Sequence, residues 1–164
     1  MRKSICHIFH VMRKVFVLAV GILLLYTSLE KIQDFNGFSE IIKSHAVVPN
    51  QAISILSAAV ILAEFLIGLG CAAAAIGVGR IRKWCWVAST LFFVFAFYGA
   101  VALVSAADAS KATCGCGAQI IPGSGWEPII VQDFLLGMTL LLSAALSNSN
   151  SAIKPSEVAT TAVG

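Results

Sequence analysis

Two thiols one residue apart, in Cys114-Gly115-Cys116-Gly117, are the side chains here whose type and spacing best suit chemistry. A disulfide across Cys-x-Cys closes a very small ring and departs from relaxed geometry. Such a bond is a poor structural staple and an easily reduced exchange partner. Gly115 and Gly117 add backbone freedom and leave the sulfurs little covered. Lys111 favours a thiolate at Cys114, while Asp108 opposes it. Unreactive thiols and a metal site are the competing readings of the pair. Two ligands fall short of a structural zinc site and no nearby histidine completes one, so no metal is expected.

Glu64 is the second chemical signal, because it interrupts a long apolar run. A carboxylate within a membrane must face the bundle interior and find a partner, or be protonated. Lys31 and Asp133 are the candidates to complete a polar cluster with it. A helix-packing ion pair and a proton-relay or ligand role are both compatible with that cluster. Cys71 and Cys85 are read as small packing residues, and His45 as a solvated histidine.

These residues need elements to hold them, and composition says which kind. The chain has 164 residues, 59% hydrophobic and 12% charged, with a mean hydropathy of +0.91. A soluble domain is about a quarter charged, so this balance places the chain among integral membrane proteins. No basic patch is interleaved with aromatics, so no nucleic-acid partner is expected.

Four segments have the length and apolarity of membrane helices: Lys14–Glu30, Gln51–Val78, Trp84–Ala106 and Trp126–Leu146. The first is read as a retained helix, since Tyr26-Thr27-Ser28-Leu29-Glu30 is a poor cleavage site. The expected fold is all-α, a four-helix integral membrane bundle with the lipid bilayer as its first partner. Residues 14–146 would be the membrane domain, 1–13 a cytoplasmic N-terminal segment and 147–164 a disordered cytoplasmic tail. Segment two is rich in Gly and Ala, which let helix backbones approach closely. Segment three carries Phe92, Phe93, Phe95, Phe97 and Tyr98, read as a lipid-facing or core-filling stripe.

Charge sets the expected orientation. Arg2, Lys3, Arg13 and Lys14 precede segment one, and Arg80, Arg82 and Lys83 join segments two and three. The opposite side carries Lys31, Lys43 and Lys111 against Asp34, Glu40, Asp108 and Glu127. Positive residues stay inside, so both termini are expected in the cytoplasm and the Cys114 loop outside. Between segments one and two, Phe35, Phe38, Ile41 and Ile42 recur at near-helical spacing, with Asp34, Glu40 and Lys43 among them. They predict a short amphipathic helix on the outer membrane surface, stopped by Pro49. Beside the cysteines, Pro122, Gly123 and Gly125 mark an irregular loop, and Trp126 an interfacial anchor.

Three motifs together carry a family resemblance. They are Ser28-Leu29-Glu30-Lys31, followed by Asp34, Phe35, Phe38 and Pro49; Ala63-Glu64-Phe65-Leu66-Ile67-Gly68; and Cys114-Gly115-Cys116-Gly117 with Trp126. Over roughly Phe16 to Leu146 the chain resembles the MauE branch of the DoxX-like membrane proteins. It departs from the family pattern in Gly117-Ala118, where Phe-Gly is usual. A second departure is Gln132-Asp133, where a basic residue is frequent near the start of the last helix.

The resemblance implies a redox-associated component of the cell inner membrane, linked to methylamine utilisation. It would assist periplasmic maturation of the disulfide-rich small subunit of methylamine dehydrogenase. The implied activity is thiol–disulfide exchange through Cys114 and Cys116 with a periplasmic thioredoxin-like protein or a disulfide-containing client. A quinone at the face of segment three is the candidate electron carrier, and no motif selects it. Two other classes stay open: a non-catalytic scaffold of a maturation complex, and a small-molecule or ion carrier built around Glu64.

Overall fold

The computed structural model describes residues 2–45, 47–105 and 127–149. Cys114 and Cys116, with Asp108, Lys111 and Trp126, lie outside the described residues, as does most of the expected tail. The described residues are helical: α1 Arg2–Gln33, α2 Phe35–Ser44, α3 Ile53–Ala75, α4 Ile81–Ser105 and α5 Glu127–Ser149. A single 3₁₀ turn, Asn50–Ala52, leads into α3.

Among the described residues, four stretches are long and apolar enough to cross a membrane: Ile8–Gln33, Asn50–Ala75, Ile81–Ser105 and Glu127–Ala145. Their outward surface confirms the solvent they need. Ile22, Leu62, Val94, Phe97, Val104 and Leu142 are all more than half exposed, a distribution suited to lipid and costly in water. Within the aromatic stripe, Phe92 and Phe95 are buried while Phe97 points outward, so one stripe serves both expected uses.

All four long helices feed one apolar core: Val17, Val20 and Leu24 of α1, Cys71 of α3, Cys85, Ala88 and Phe92 of α4, and Leu140 and Ala144 of α5. In chain order the helices alternate direction. α1 packs along α3, α3 along α4, and α4 along α5. The α1–α3 crossing depends on paired glycines. A Cβ on Gly21 would fall 2.9 Å from both the Ala72 nitrogen and the Gly68 carbonyl oxygen. Neither backbone atom can yield, so only glycine admits this approach. Across α4 and α5, the Ser89 hydroxyl donates to the Gly137 carbonyl at 2.8 Å, and Phe93 meets Phe134 edge-on at 5.7 Å.

Local chemistry sets the element ends, and two differ from the sequence expectation. α1 begins at Arg2 and so runs through the residues expected as a separate N-terminal segment. α3 ends at Ala75, short of Val78. There Gly77 takes φ 102°, its N–H donates to the Ala74 carbonyl at 3.2 Å, and Val78 N–H donates to Ala73 at 2.8 Å. This is a Schellman closure, which an L side chain at Gly77 would strain. Asp34 caps α2, its Oδ1 accepting from Gly37 N–H at 2.9 Å. Pro128 falls in the first turn of α5, where a missing N–H costs nothing.

α2 sits where α1 ends and α3 begins. Phe38 and Ile42 are buried and form a second cluster with Ile53 and Ile61 of α3. Its opposite side, including Asn36, Glu40 and Lys43, is exposed. The apolar face of α2 is therefore taken up by α3.

Candidate functional site

The bundle has two chemically different ends. At the end away from α2, Cys71 and Cys85 are fully buried free thiols in the apolar core, with the Cys71 Sγ 3.9 Å from the Trp84 carbonyl. At the α2 end the interior turns polar. Thr27, Ser28, Lys31, His45, Ser57, Glu64, Gln132 and Asp133 are all buried.

Lys31 lies near the C-terminus of α1, within its last turn. Glu64 lies about 16 Å along the axis from the start of α3, at about 1.5 Å per residue. The antiparallel register set by Gly21 and Gly68 brings the two to one level. The Lys31 Nζ donates to the Glu64 Oε1 at 2.5 Å, between side chains 5% and 0% exposed. Lys31 also rests over the Phe38 ring, 5.3 Å from its centroid, so α2 covers the ammonium. Glu64 Oε2 is buried with no hydrogen-bond partner among the described residues.

Asp133 enters from α5, about 9 Å along the axis from Glu127. It is 6% exposed and interacts electrostatically with both Lys31 and Glu64. The structure thus gathers Lys31, Glu64 and Asp133 from three helices around one buried region. An open cleft of about 460 Å³ at the α1–α2 joint reaches this region, lined by Thr27, Glu30, Lys31, Asp34 and Phe38 among others.

One residue pair had no counterpart in the sequence reading. His45 is 1% exposed, which corrects its reading as a solvated histidine. Its Nδ1 is 2.9 Å from the Tyr98 Oη, and the two rings lie 5.8 Å apart. Nearby Ala102 of α4 is buried against Val47, Leu103, Ile129 and Ile130. The apolar run after His45 was the available signal, and Val47 of that run packs against the Ala102 cluster.

α4 leaves the bundle at Ser105 and α5 returns at Glu127. Both positions belong to the α2 end, so the segment bearing Cys114 and Cys116 joins two helices there. Distances from the thiols to the cluster fall outside the described residues.

Four apolar spans around a common core define a multi-pass helical membrane protein. The chain belongs to the MauE family: the family model described as "Methylamine utilisation protein MauE" matches residues 9–146, most of the chain. The resemblance carried by the Lys31, Glu64 and Cys114 motifs is thereby shown. Comparison with curated proteins finds no match, nor does comparison with solved structures.

Proposed function

We propose that the protein is a membrane thiol–disulfide component that assists maturation of a disulfide-containing protein outside the cytoplasmic membrane. The observation that carries this reading is Cys114-Gly115-Cys116-Gly117, placed between two membrane spans of a MauE-family chain. In the exchange, a thiolate attacks a disulfide sulfur of the partner, forming a mixed disulfide and releasing the partner's other sulfur as a thiolate. The second cysteine then attacks its neighbour's sulfur and expels the partner as a dithiol. Two electrons pass to the partner and a Cys114–Cys116 disulfide remains. The reverse sequence oxidises the partner instead. The partner class is a thioredoxin-like protein or a disulfide-rich client.

The orientation within this proposal has both termini in the cytoplasm and the α2 end outside. Arg2, Lys3, Arg13 and Lys14, with Arg80, Arg82 and Lys83, support it through the positive-inside bias. α2 then rests at the outer surface, with Glu40 and Lys43 toward water. That side of an inner membrane is oxidising, so a disulfide persists there.

The test is trapping. Cys116→Ser should accumulate a mixed disulfide with its partner through Cys114, or Cys114→Ser through Cys116 if the roles are exchanged. Absence of an adduct from both, with client maturation intact in the double variant, would refute the exchange reading and leave the scaffold. Labelling Cys114 from outside intact cells with a membrane-impermeant maleimide tests the orientation. Protection there with labelling only after lysis would reverse it.

A further inference from the structure

We propose that Lys31, Glu64 and Asp133 form a proton-exchange site whose two carboxyl groups hold one exchangeable proton between them, supplied through the cleft between α1 and α2. This inference concerns different residues from the cysteine chemistry and stands or falls separately from it.

The argument is a charge count in a buried place. One ammonium faces two carboxyl groups, all at most 6% exposed. Lys31 and one carboxylate balance. A second carboxylate would leave a net negative charge in surroundings that solvate it poorly. Among the described residues, the other charged and titratable groups do not offset it. On α1, Glu30 is exposed and acidic, as is Asp34 beyond the helix end. On α2, Glu40 and Lys43 are exposed. On α3, Glu64 is the only titratable group besides Cys71 in the core of the opposite end. On α4, Arg82, Lys83 and Cys85 belong to the opposite end, and Tyr98 is engaged with His45. On α5, Glu127 is exposed at the helix start.

Glu64 itself supplies the independent observation. Its Oε1 is taken by Lys31, while Oε2 is completely buried and lacks a hydrogen-bond partner among the described residues. A buried carboxylate oxygen in that state is costly unless it receives a proton or a hydrogen bond. Lys31 lines the open cleft between α1 and α2, which gives the proton a route of entry. The step is simple in its balance: one carboxylate takes one proton from a hydronium ion of the solvent, leaving water and a carboxylic acid, and no electron moves.

Infrared difference spectroscopy on the full chain in lipid nanodiscs, titrated with pH, reads the protonated carboxyl stretch directly. The wild type should show one such group, and its band should shift when water is exchanged for D₂O. Glu64→Gln should abolish the band, and so should Asp133→Asn, because either leaves one carboxylate balanced by Lys31. Lys31→Met should roughly double it, since both carboxyls then need protons. Glu40→Gln on the exposed face of α2 should leave it unchanged. A band that survives in both the Glu64 and Asp133 variants overturns the proposal. If those variants do not fold, the wild type still decides. A missing carboxyl band, or one that D₂O does not shift, overturns the exchange site.

Discussion

Removing the Lys31 ammonium should be among the most damaging single changes in the bundle. Lys31 and Glu64 are 5% and 0% exposed and in contact at 2.5 Å, and Asp133 feels both charges. Lys31→Met keeps most of the side-chain volume and the packing over Phe38, so its cost isolates the charge. Breaking one side of a buried pair costs about 3–5 kcal/mol, because the remaining charge is uncompensated. Here two carboxyl groups lose their counter-ion, which argues for the upper half of that range. Glu64→Gln should cost less, about 1–3 kcal/mol, the scale of a buried hydrogen-bonding group left unsatisfied, because Lys31 keeps Asp133 as counter-charge. The double variant Lys31→Met/Glu64→Gln should recover part of the loss, with a coupling above about 1 kcal/mol. Reversible unfolding by SDS in mixed micelles, followed by fluorescence of Trp84 and Trp86, supplies the free energies. The measurement belongs on the alkaline side, where proton uptake relieves the stranded carboxyls least. A Lys31→Met cost under about 1 kcal/mol, the scale of an exposed pair, or additivity within about 0.5 kcal/mol, would refute the idea that this pair is desolvated and coupled.

Three further outcomes follow from the packing. Gly21→Ala should destabilise by about 1–3 kcal/mol through overpacking, since its Cβ would meet backbone of α3 at 2.9 Å. Gly137→Ala, whose Cβ would meet the Phe93 ring at 3.2 Å, should cost visibly less in the same SDS titration, because a ring can shift. Ser89→Ala removes a side-chain hydrogen bond between α4 and α5 and should cost about 0.6 kcal/mol, the average for such bonds in membranes. Tyr98→Phe should cost about 1 kcal/mol by breaking the bond to His45. It should also raise hydrogen exchange in α2 and the turn after it, while leaving α5 protected.

The membrane spans were legible because each needs only a long run of apolar residues, and Ile61 to Ala75 or Leu91 to Val104 supplies it without reference to any neighbour. α2 was legible for a related reason: Phe38 and Ile42 recur one turn apart. The length of α3 was not, because Ile76-Gly77-Val78 is as apolar as the helix before it. Only the positive φ of Gly77 shows where the helix closes. His45 was misread for want of tertiary information. Its partner Tyr98 is far away in sequence, and the short apolar run after His45 is by itself too weak a signal to show that the chain after α2 folds inward. Glu64 and Lys31 could be named as partners from depth alone, whereas the unpartnered Oε2 and the access cleft are properties of the packed helices.

The contrast between the two ends bears on how the bundle tolerates its buried charges. A polar cluster inside a membrane helix pair costs stability unless something else holds the helices in register. In this chain that task falls to the opposite half, where Val17, Val20, Cys71, Ala88, Leu140 and Ala144 are closely packed and Gly21 locks against Gly68. The glycine contact sets the α1–α3 register, and the register places Lys31 level with Glu64. Shifting α1 by one residue would rotate Lys31 by about 100° around the helix, away from Glu64. Small residues in one half thus determine which charges meet in the other. Gly21 is therefore expected to influence the carboxyl infrared band although it touches none of the charged groups, an effect that uniform destabilisation of the bundle would not produce.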